Sequence, residues 1–399
     1  MNNWRGKMMG EGGRASRPII WVIGFFAFLN VYSMQAVLPL VMQDFKASPV
    51  QAGMTVGSTV LAIALVSPFM GMLSDALGRK QVLSVSMLVL TLPTALIPMA
   101  QSLSSIIVLR FIQGLAVPGI VVVVIAYIAE EFRHGGVARM TSTYVSGTVV
   151  GGFSGRFLAG HTGEWLGWRG AFWAMAALNL LGALMVIWWL PASRHFVANR
   201  DLKGNLQTLG KHLANRRLWA VCAVGFCVLF SLVGSFTYVN LYLAFAPFHL
   251  SPASLANVFG VYLFGAVVTP FAARLTVRYG FLRSLLVALA VSMVGLFLTL
   301  VPSLPVIIIG LAICSSGVFI CQSSTISHIS ARVTEGRSLA TGLYYMSYYA
   351  GGAAASWLAG LAFEWQGWHG SVAAVAVFQC LAAVLALVFL RTPSPPAAA

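Results

Sequence analysis

Residues 141–170 read TSTYVSGTVVGGFSGRFLAGHTGEWLGWRG, and residues 341–370 read TGLYYMSYYAGGAAASWLAGLAFEWQGWHG. Thr141, Tyr144, Gly151, Gly152, Leu158, Ala159, Gly160, Glu164, Trp165, Gly167, Trp168 and Gly170 each meet the same residue type 200 positions later, giving 12 identities in 30 ungapped positions. A shift of half the chain length marks a protein made of two similar halves. The period is far longer than the roughly 20–50 residues of solenoid repeats.

Composition fixes the solvent around those halves. Hydrophobic residues make up 59% of the chain and charged ones 8%, where a soluble domain carries about 25% charged residues. The surface is therefore made for lipid. A nucleic-acid reading, which needs a solvated basic domain, is excluded. Apolar runs near 18–43, 50–73, 81–100, 104–129, 138–161, 168–190, 217–246, 254–273, 281–301, 304–329, 338–361 and 368–390 reach the roughly 20 residues that cross a bilayer core. They predict an all-α membrane protein of twelve transmembrane helices, since barrel strands alternate and are far shorter. Duplication in so apolar a chain points to two related bundles rocking about a central site, as in secondary transporters. The first run is too long for a signal-peptide core and another span follows at once, so it is expected to be retained.

Charge sets the expected orientation. Of 24 Lys and Arg, Lys46, Arg110, Arg156 and Arg169 fall within the membrane or on its outer side. The remaining 20 lie at the N-terminus, the even-numbered turns, the central linker and the C-terminus. By the positive-inside rule those segments, and both termini, are cytoplasmic. The net charge of +15 thus reflects topology. The expected organisation is a tail at 1–17, a six-helix bundle at 18–190, a linker at 191–216, a second six-helix bundle at 217–390 and a tail at 391–399. In the linker region Leu202, Leu206, Leu209 and Leu213 share one helical face among basic residues, which predicts an amphipathic helix on the cytoplasmic leaflet. Cys222, Cys227, Cys314, Cys321 and Cys380 all sit in apolar runs, so neither a disulfide framework nor a metal site is expected.

The loop after the second run reads Gly71-Met72-Leu73-Ser74-Asp75-Ala76-Leu77-Gly78-Arg79-Lys80. Gly71 suits close helix approach, and Gly78 suits a turn that most residues cannot adopt. Asp75 is an acid at a helix end, placed to cap or to face a helix N-terminus. Arg79 and Lys80 anchor the loop to the cytoplasmic side. This stretch resembles the signature loop of the major facilitator superfamily, G-x-L-x-D-x-x-G-R-K. With the duplication and the twelve runs, the resemblance covers nearly the whole chain. It implies two pseudo-symmetric six-helix bundles, and a latch that holds them in the outward-facing state. The same resemblance implies that Glu130 or Glu131, after the fourth span, pairs with Arg79. An exposed ion pair of about 0–1 kcal/mol biases an equilibrium without holding a fold. The equivalent stretch of the second half, Arg274-Leu275-Thr276-Val277-Arg278-Tyr279-Gly280, has Val277 in place of the acid, so the latch is expected on one side only.

Arg110 and Gln113, in Arg110-Phe111-Ile112-Gln113-Gly114, resemble the family's R-x-x-Q-G motif, which is linked to proton coupling. A charge inside a membrane costs at least roughly 2.5 kcal/mol and marks a functional position. The alternative role is a brace bonded to backbone carbonyls. Arg156, in the fifth span, lies about 8 Å below the outer surface at 1.5 Å per residue. It either joins Arg110 in receiving an anionic group or snorkels outward. The fifth span also carries Gly147, Gly151, Gly152, Gly155 and Gly160, similar to the glycine-rich motif of proton-coupled exporters. Gly152 stands where that motif has proline, which weakens a transfer of the drug-antiporter role. The wider wording is most similar to the YnfM-type branch of bacterial inner-membrane exporters. Gly152-Phe153-Ser154-Gly155 also spells G-x-S-G, but a protease needs a base beside the serine, and the duplicated fold gives no reason to bring His328 to Ser154.

The family resemblance implies that the first, fourth, seventh and tenth helices line the cavity. The candidate contacts are Asn30, Ser33 and Gln35 on the first; Ser231, Ser235, Tyr238 and Tyr242 on the seventh; and Gln322, Ser324 and His328 on the tenth. Tyr344, Tyr345, Tyr348 and Tyr349 crowd the eleventh. The nine acids, Glu11, Asp44, Asp75, Glu130, Glu131, Glu164, Asp201, Glu335 and Glu364, all fall in loops or at helix ends. A strongly cationic solute is therefore disfavoured against a neutral, zwitterionic or anionic one. His328 is able to titrate near neutral pH. No nucleotide-binding loop is present. The expectation is a monomeric secondary transporter of the bacterial inner membrane, without cofactor, exporting a small organic solute with protons as coupling ion. An importer of sugars or organic acids is the rival transport reading. A non-transporting receptor or assembly factor is the reading of another class, against which the intact signature loop counts.

Overall fold

The computed structural model describes residues 9–10, 14–15, 17–132, 135–193, 210–265, 267–268, 278–332 and 337–390. A short antiparallel ladder pairs Met9–Gly10 with Arg14–Ala15, and the remaining regular structure described is helical. The helices are α1 (Arg17–Leu29), α2 (Met34–Asp44), α3 (Pro49–Leu77), α4 (Arg79–Leu96), α5 (Leu103–Ala116), α6 (Pro118–Glu131), α7 (Gly135–Trp189), α8 (Arg216–Ala244), α9 (Pro252–Val258), α10 (Phe281–Leu298), α11 (Leu304–Arg332) and α12 (Arg337–Phe389). The expected linker helix lies mostly outside the described residues, as do residues 274–277 and both tails beyond 17 and 390, apart from the N-terminal ladder.

Nine helical stretches among the described residues are long and apolar enough to cross a membrane. Two of them, Arg139–Trp189 and Leu339–Phe389, run for 51 residues each, about 76 Å if straight and far more than a bilayer core. Both are hairpins. Gly167 (φ 67°) breaks α7, and Gln366 with Gly367 (φ 58°) breaks α12. In α12 the Ser371 hydroxyl donates to the Ala359 carbonyl at 2.9 Å, although twelve residues of straight helix span about 18 Å. In α7, Gly151 and Gly182 both pack against Phe25–Phe26 of α1. The eighth expected span is represented by α9 and a second helical stretch at 261–265; residues 266 and 269–273 lie outside the described set.

The first expected span is not one helix. Its residues divide into α1 and α2 around a turn at Asn30–Ser33, where the Ser33 and Gln35 amides reach back only three residues. The fourth is interrupted at Val117, because Pro118 has no N–H to offer the preceding turn. In α3, Ser48 and Gln51 form a reciprocal capping box and Pro49 opens the helix. Leu61, Leu65, Phe69, Leu73 and Leu77 of α3 stay exposed at four-residue spacing. Among the described residues nothing covers this apolar outer face, which suits it to lipid.

The two halves repeat each other in detail. In α7, Gly147, Gly151 and Gly155 leave no room for a Cβ against the carbonyls of Trp21, Phe25 and Leu29. In α12, Gly351 meets the Phe226 carbonyl of α8 in the same way. Gly78 (φ 100°) precedes α4 and Gly280 (φ 81°) precedes α10. Trp165 and Trp365 are 86% and 80% exposed, whereas Trp168 and Trp368 are 4% and 3% exposed. The buried pair packs on Phe45 (ring centroids 5.8 Å apart) and Tyr242 (5.9 Å), at the ends of α2 and α8. One end of the bundle is marked by these tryptophans and the other by the 71–80 loop. They are called below the tryptophan end and the signature end.

Candidate functional site

At the signature end, Gly78 turns the chain so that Arg79 points back along α3. Its guanidinium contacts Asp75 at 2.5 Å, the Ser74 hydroxyl at 2.5 Å and Glu130 of α6 at 2.5–3.2 Å. Of the two acids offered by the sequence, Glu130 is the one holding Arg79; buried Glu131 accepts from the Ser193 hydroxyl at 2.7 Å. The cluster differs from an exposed ion pair, since the Arg79 side chain is only 8% exposed. Gly71 differs from its expected close-packing role: a Cβ there stands 4.0 Å from Val122, in ordinary contact. Lys80 continues the helix at its first turn.

Arg110 of α5 is fully buried. Its guanidinium donates to the Thr55 carbonyl at 3.1 Å, the Asn30 carbonyl at 2.8 Å, the Val31 carbonyl at 2.6 Å and Gln113 Oε1 at 2.8 Å. Gln113 passes the chain on to the Thr94 hydroxyl at 2.7 Å, which also receives Asn179 at 3.2 Å. The turn between α1 and α2 frees carbonyls that an unbroken helix would satisfy, and buried carbonyls need partners. Arg110 supplies them, so its geometry is that of the brace. The Ser33 hydroxyl also donates to the Asn30 carbonyl, at 3.1 Å. The Asn30 side-chain amide is buried with neither its nitrogen nor its oxygen hydrogen-bonded.

Where the halves meet, Gln35 is the hub. Pro39 has no N–H, which leaves the Gln35 carbonyl open four residues back; Asn240 of α8, in the other half, donates to it. The Gln35 side chain donates to the Thr237 hydroxyl at 2.9 Å and accepts from Arg156 Nε at 2.9 Å. Arg156 does not snorkel. It is 2% exposed, donates to the Gly152 carbonyl at 2.8 Å, and stacks on Tyr32, Phe259 and Tyr262 at 4.7, 4.9 and 4.5 Å. These hydrogen-bond partners carry no formal charge. Thr237, Asn240, Tyr32, Phe259 and Tyr262 were not singled out from the sequence. A lone asparagine in an apolar run was the one available signal, and the rings resembled ordinary core.

The other candidates divide between the seam and the second half. The Tyr238 hydroxyl donates to the Ser356 carbonyl and sits against Gly53 and Gly360, between the halves. Tyr242 stacks on Trp368. Ser231 bonds its own helix at Cys227, 2.8 Å, and Ser235 is buried. His328 stacks on Phe281 at 4.0 Å. Gln322 is half-buried and Ser324 buried on α11. Tyr345 joins Tyr344, Tyr348 and Tyr349 in one ring cluster. Cys380 is exposed, unlike the other four cysteines, and all five are free. No His, Cys, Asp and Glu cluster fit for a metal occurs among the described residues.

Comparison with known proteins places the chain in a family. The Major Facilitator Superfamily matches twice, over residues 20–247 and 239–399. The chain is 33% identical to the Escherichia coli inner membrane transport protein YnfM, over 90% of this chain and 86% of that one. It is 31% identical to the Bacillus subtilis MFS-type transporter YybF, over 87% of this chain and 85% of that one. A solved variant of the nucleoside transporter NupG superposes with a TM-score of 0.79 at 13% identity, covering 94% of this chain and all of that one, a likeness of fold. With two family matches that together span residues 20–399 and such relatives along most of its length, the chain belongs to the Major Facilitator Superfamily, as a multi-pass membrane transporter and not an enzyme.

Proposed function

We propose that this transporter is a monomer of twelve spans in a bacterial inner membrane, with both termini cytoplasmic, that exports a small organic solute in exchange for protons. The two bundles, 18–190 and 217–390, alternate access about the seam between α2 and α8. The observation that carries the solute site is Arg156: a buried cation between the halves, faced by uncharged acceptors and three aromatic rings. A fixed positive charge in a low-dielectric cleft attracts ligands of the opposite sign, and no acid of the described chain lies deep in a span. The solute is therefore read as an anion or a strong hydrogen-bond acceptor. Arg110 braces the broken first span, and the Asp75–Arg79–Glu130 cluster latches the cytoplasmic side. The glycine-rich fifth span supports export over import, through its likeness to proton-coupled exporters.

The test is solute counterflow in proteoliposomes, with a panel of anionic, neutral and cationic solutes and an imposed pH gradient. Accumulation of an anionic solute that reverses with the sign of the gradient is expected. Flux indifferent to the gradient overturns proton coupling, and equal flux of a cationic dye and an anionic solute overturns the assignment of Arg156.

A further inference from the structure

The duplicated Glu-Trp pair of the opening repeat reappears in the structure as two bonds between the halves. Glu164 lies in the turn between the arms of α7, outside the spans. Its Oε2 accepts the backbone N–H of Ala253 at 2.9 Å, in the second half. Glu364 occupies the same place in α12, and its Oε1 accepts the backbone N–H of Val50 at 3.1 Å, in the first half. The donors correspond as closely as the acceptors. Val50 follows Ser48-Pro49 and Ala253 follows Ser251-Pro252. Ser48 caps the Gln51 amide and Ser251 the Ser254 amide, both at 3.3 Å. Each half therefore extends a carboxylate from its fifth helix to the start of the second helix of the other half. Close packing runs beside both bonds, with Gly160 against Pro252 and Ala256, and Gly360 against Val50 and Tyr238.

We infer that Glu164 and Glu364 are a duplicated pair of carboxylate clasps that hold the halves together at the tryptophan end, and that release of both is a step in opening that end. The inference goes beyond the proposed function and holds for either direction of transport. Single-sided attachment would let the halves pivot about one bond, whereas two bonds related by the repeat oppose rotation on both sides of the seam. Both acceptors are charged, and bonds to a charged acceptor are stronger than neutral ones. His161 is the titratable neighbour of Glu164, and the Tyr238 hydroxyl lies within the field of Glu364. Hydrogen bonds from Ser251 and Ala253 hold the Glu164 carboxyl below the ordinary range. Closure favoured by a depressed acid is fully present above the ordinary carboxylate pKa and is lost as pH falls through the depressed one.

The experiment uses the full chain in lipid nanodiscs, with spin labels on cysteines at Gln101 and Val301 and with Cys380→Ser. Both label sites are exposed at the tryptophan end, one in each half. Glu164→Gln and Glu364→Gln keep an acceptor oxygen and remove charge; the Ala variants remove both. Each Gln substitution is expected to raise the long-distance population about two- to fivefold, within the range of exposed ionic contacts, and the double Ala variant to raise it further. Acidification of the unsubstituted protein from pH 7.5 to about 3, below the ordinary carboxylate range, is expected to do the same as the depressed Glu164 carboxyl takes up its proton, while the double Gln variant gains little more. A double Ala variant with the unsubstituted distance distribution overturns the inference. Should that variant not fold, the pH series decides: no lengthening on acidification, or equal lengthening in the double Gln variant, overturns it.

Discussion

Two arginines that look alike in the sequence have opposite surroundings. Arg110 spends its guanidinium on four acceptors from α1–α2, α3 and its own helix. A lysine there keeps the charge but gathers its three donors at one point, so it cannot span Thr55, Asn30, Val31 and Gln113 together. Arg110→Lys is expected to lose one or two charge-assisted bonds, about 2–4 kcal/mol, seen as a lowered unfolding temperature in detergent with solute affinity unchanged. Arg156 has two polar acceptors and three rings. Arg156→Lys is expected to leave the unfolding temperature nearly intact and to weaken binding of an anionic solute about tenfold, or 1.4 kcal/mol, which a solute-dependent thermal shift reads directly. The reverse pattern would exchange the two roles. Depth alone could not have told them apart, because what differs is the backbone each faces.

At the scale of the element, glycine spacing was legible and its purpose was not uniform. Gly151 and Gly351 touch the carbonyls of Phe25 and Phe226, so a methyl at either must push two helices apart. Gly151→Ala and Gly351→Ala are expected to cost similar stability, about 1–3 kcal/mol each for overpacking, while Gly71→Ala, with Val122 at ordinary contact distance, costs little. Thermal melts of the three variants check this; a large loss at Gly71 alone would contradict it. The long apolar runs, the gaps between neighbouring runs in which Gly167 and Gly367 fall, and the matching tryptophans could be read from the pattern, because hydropathy is a local property. The break at Asn30–Ser33 could not. A run of apolar residues reads as one helix, and the turn is stabilised by Arg110, 80 positions further along. For the same reason Gln35 was visible as a polar residue on the first span, but its bonds to Thr237 and Asn240 were not.

For the whole molecule, the question is how two similar halves are made unequal at their ends. At the tryptophan end the repeat is kept, and Glu164 and Glu364 act as partners across the seam. At the signature end it has diverged, since the acid of Asp75 is matched by Val277. Among the described residues, only the first half holds such a cluster, Asp75–Arg79–Glu130. Basic residues concentrate at this end, and cations are retained on the cytoplasmic face. A membrane-impermeant maleimide is therefore expected to label a cysteine at Gln101 in intact cells, and one at exposed Ala214 only after permeabilisation. With that orientation, Glu130→Gln removes one of the two carboxylates that hold a mostly buried guanidinium. Its cost is expected to be about 1–3 kcal/mol, falling on whichever state needs the cluster intact, because a contact shifts an equilibrium only by its difference between states. If that state is the outward-facing one, spin-label distances across the signature end should lengthen in Glu130→Gln and shorten again when the Glu164 and Glu364 clasps are also removed. Opposite ends of the molecule would then be shown to compete for one rocking motion. Independent, additive changes at the two ends would mean that the halves flex locally and do not rock as bodies.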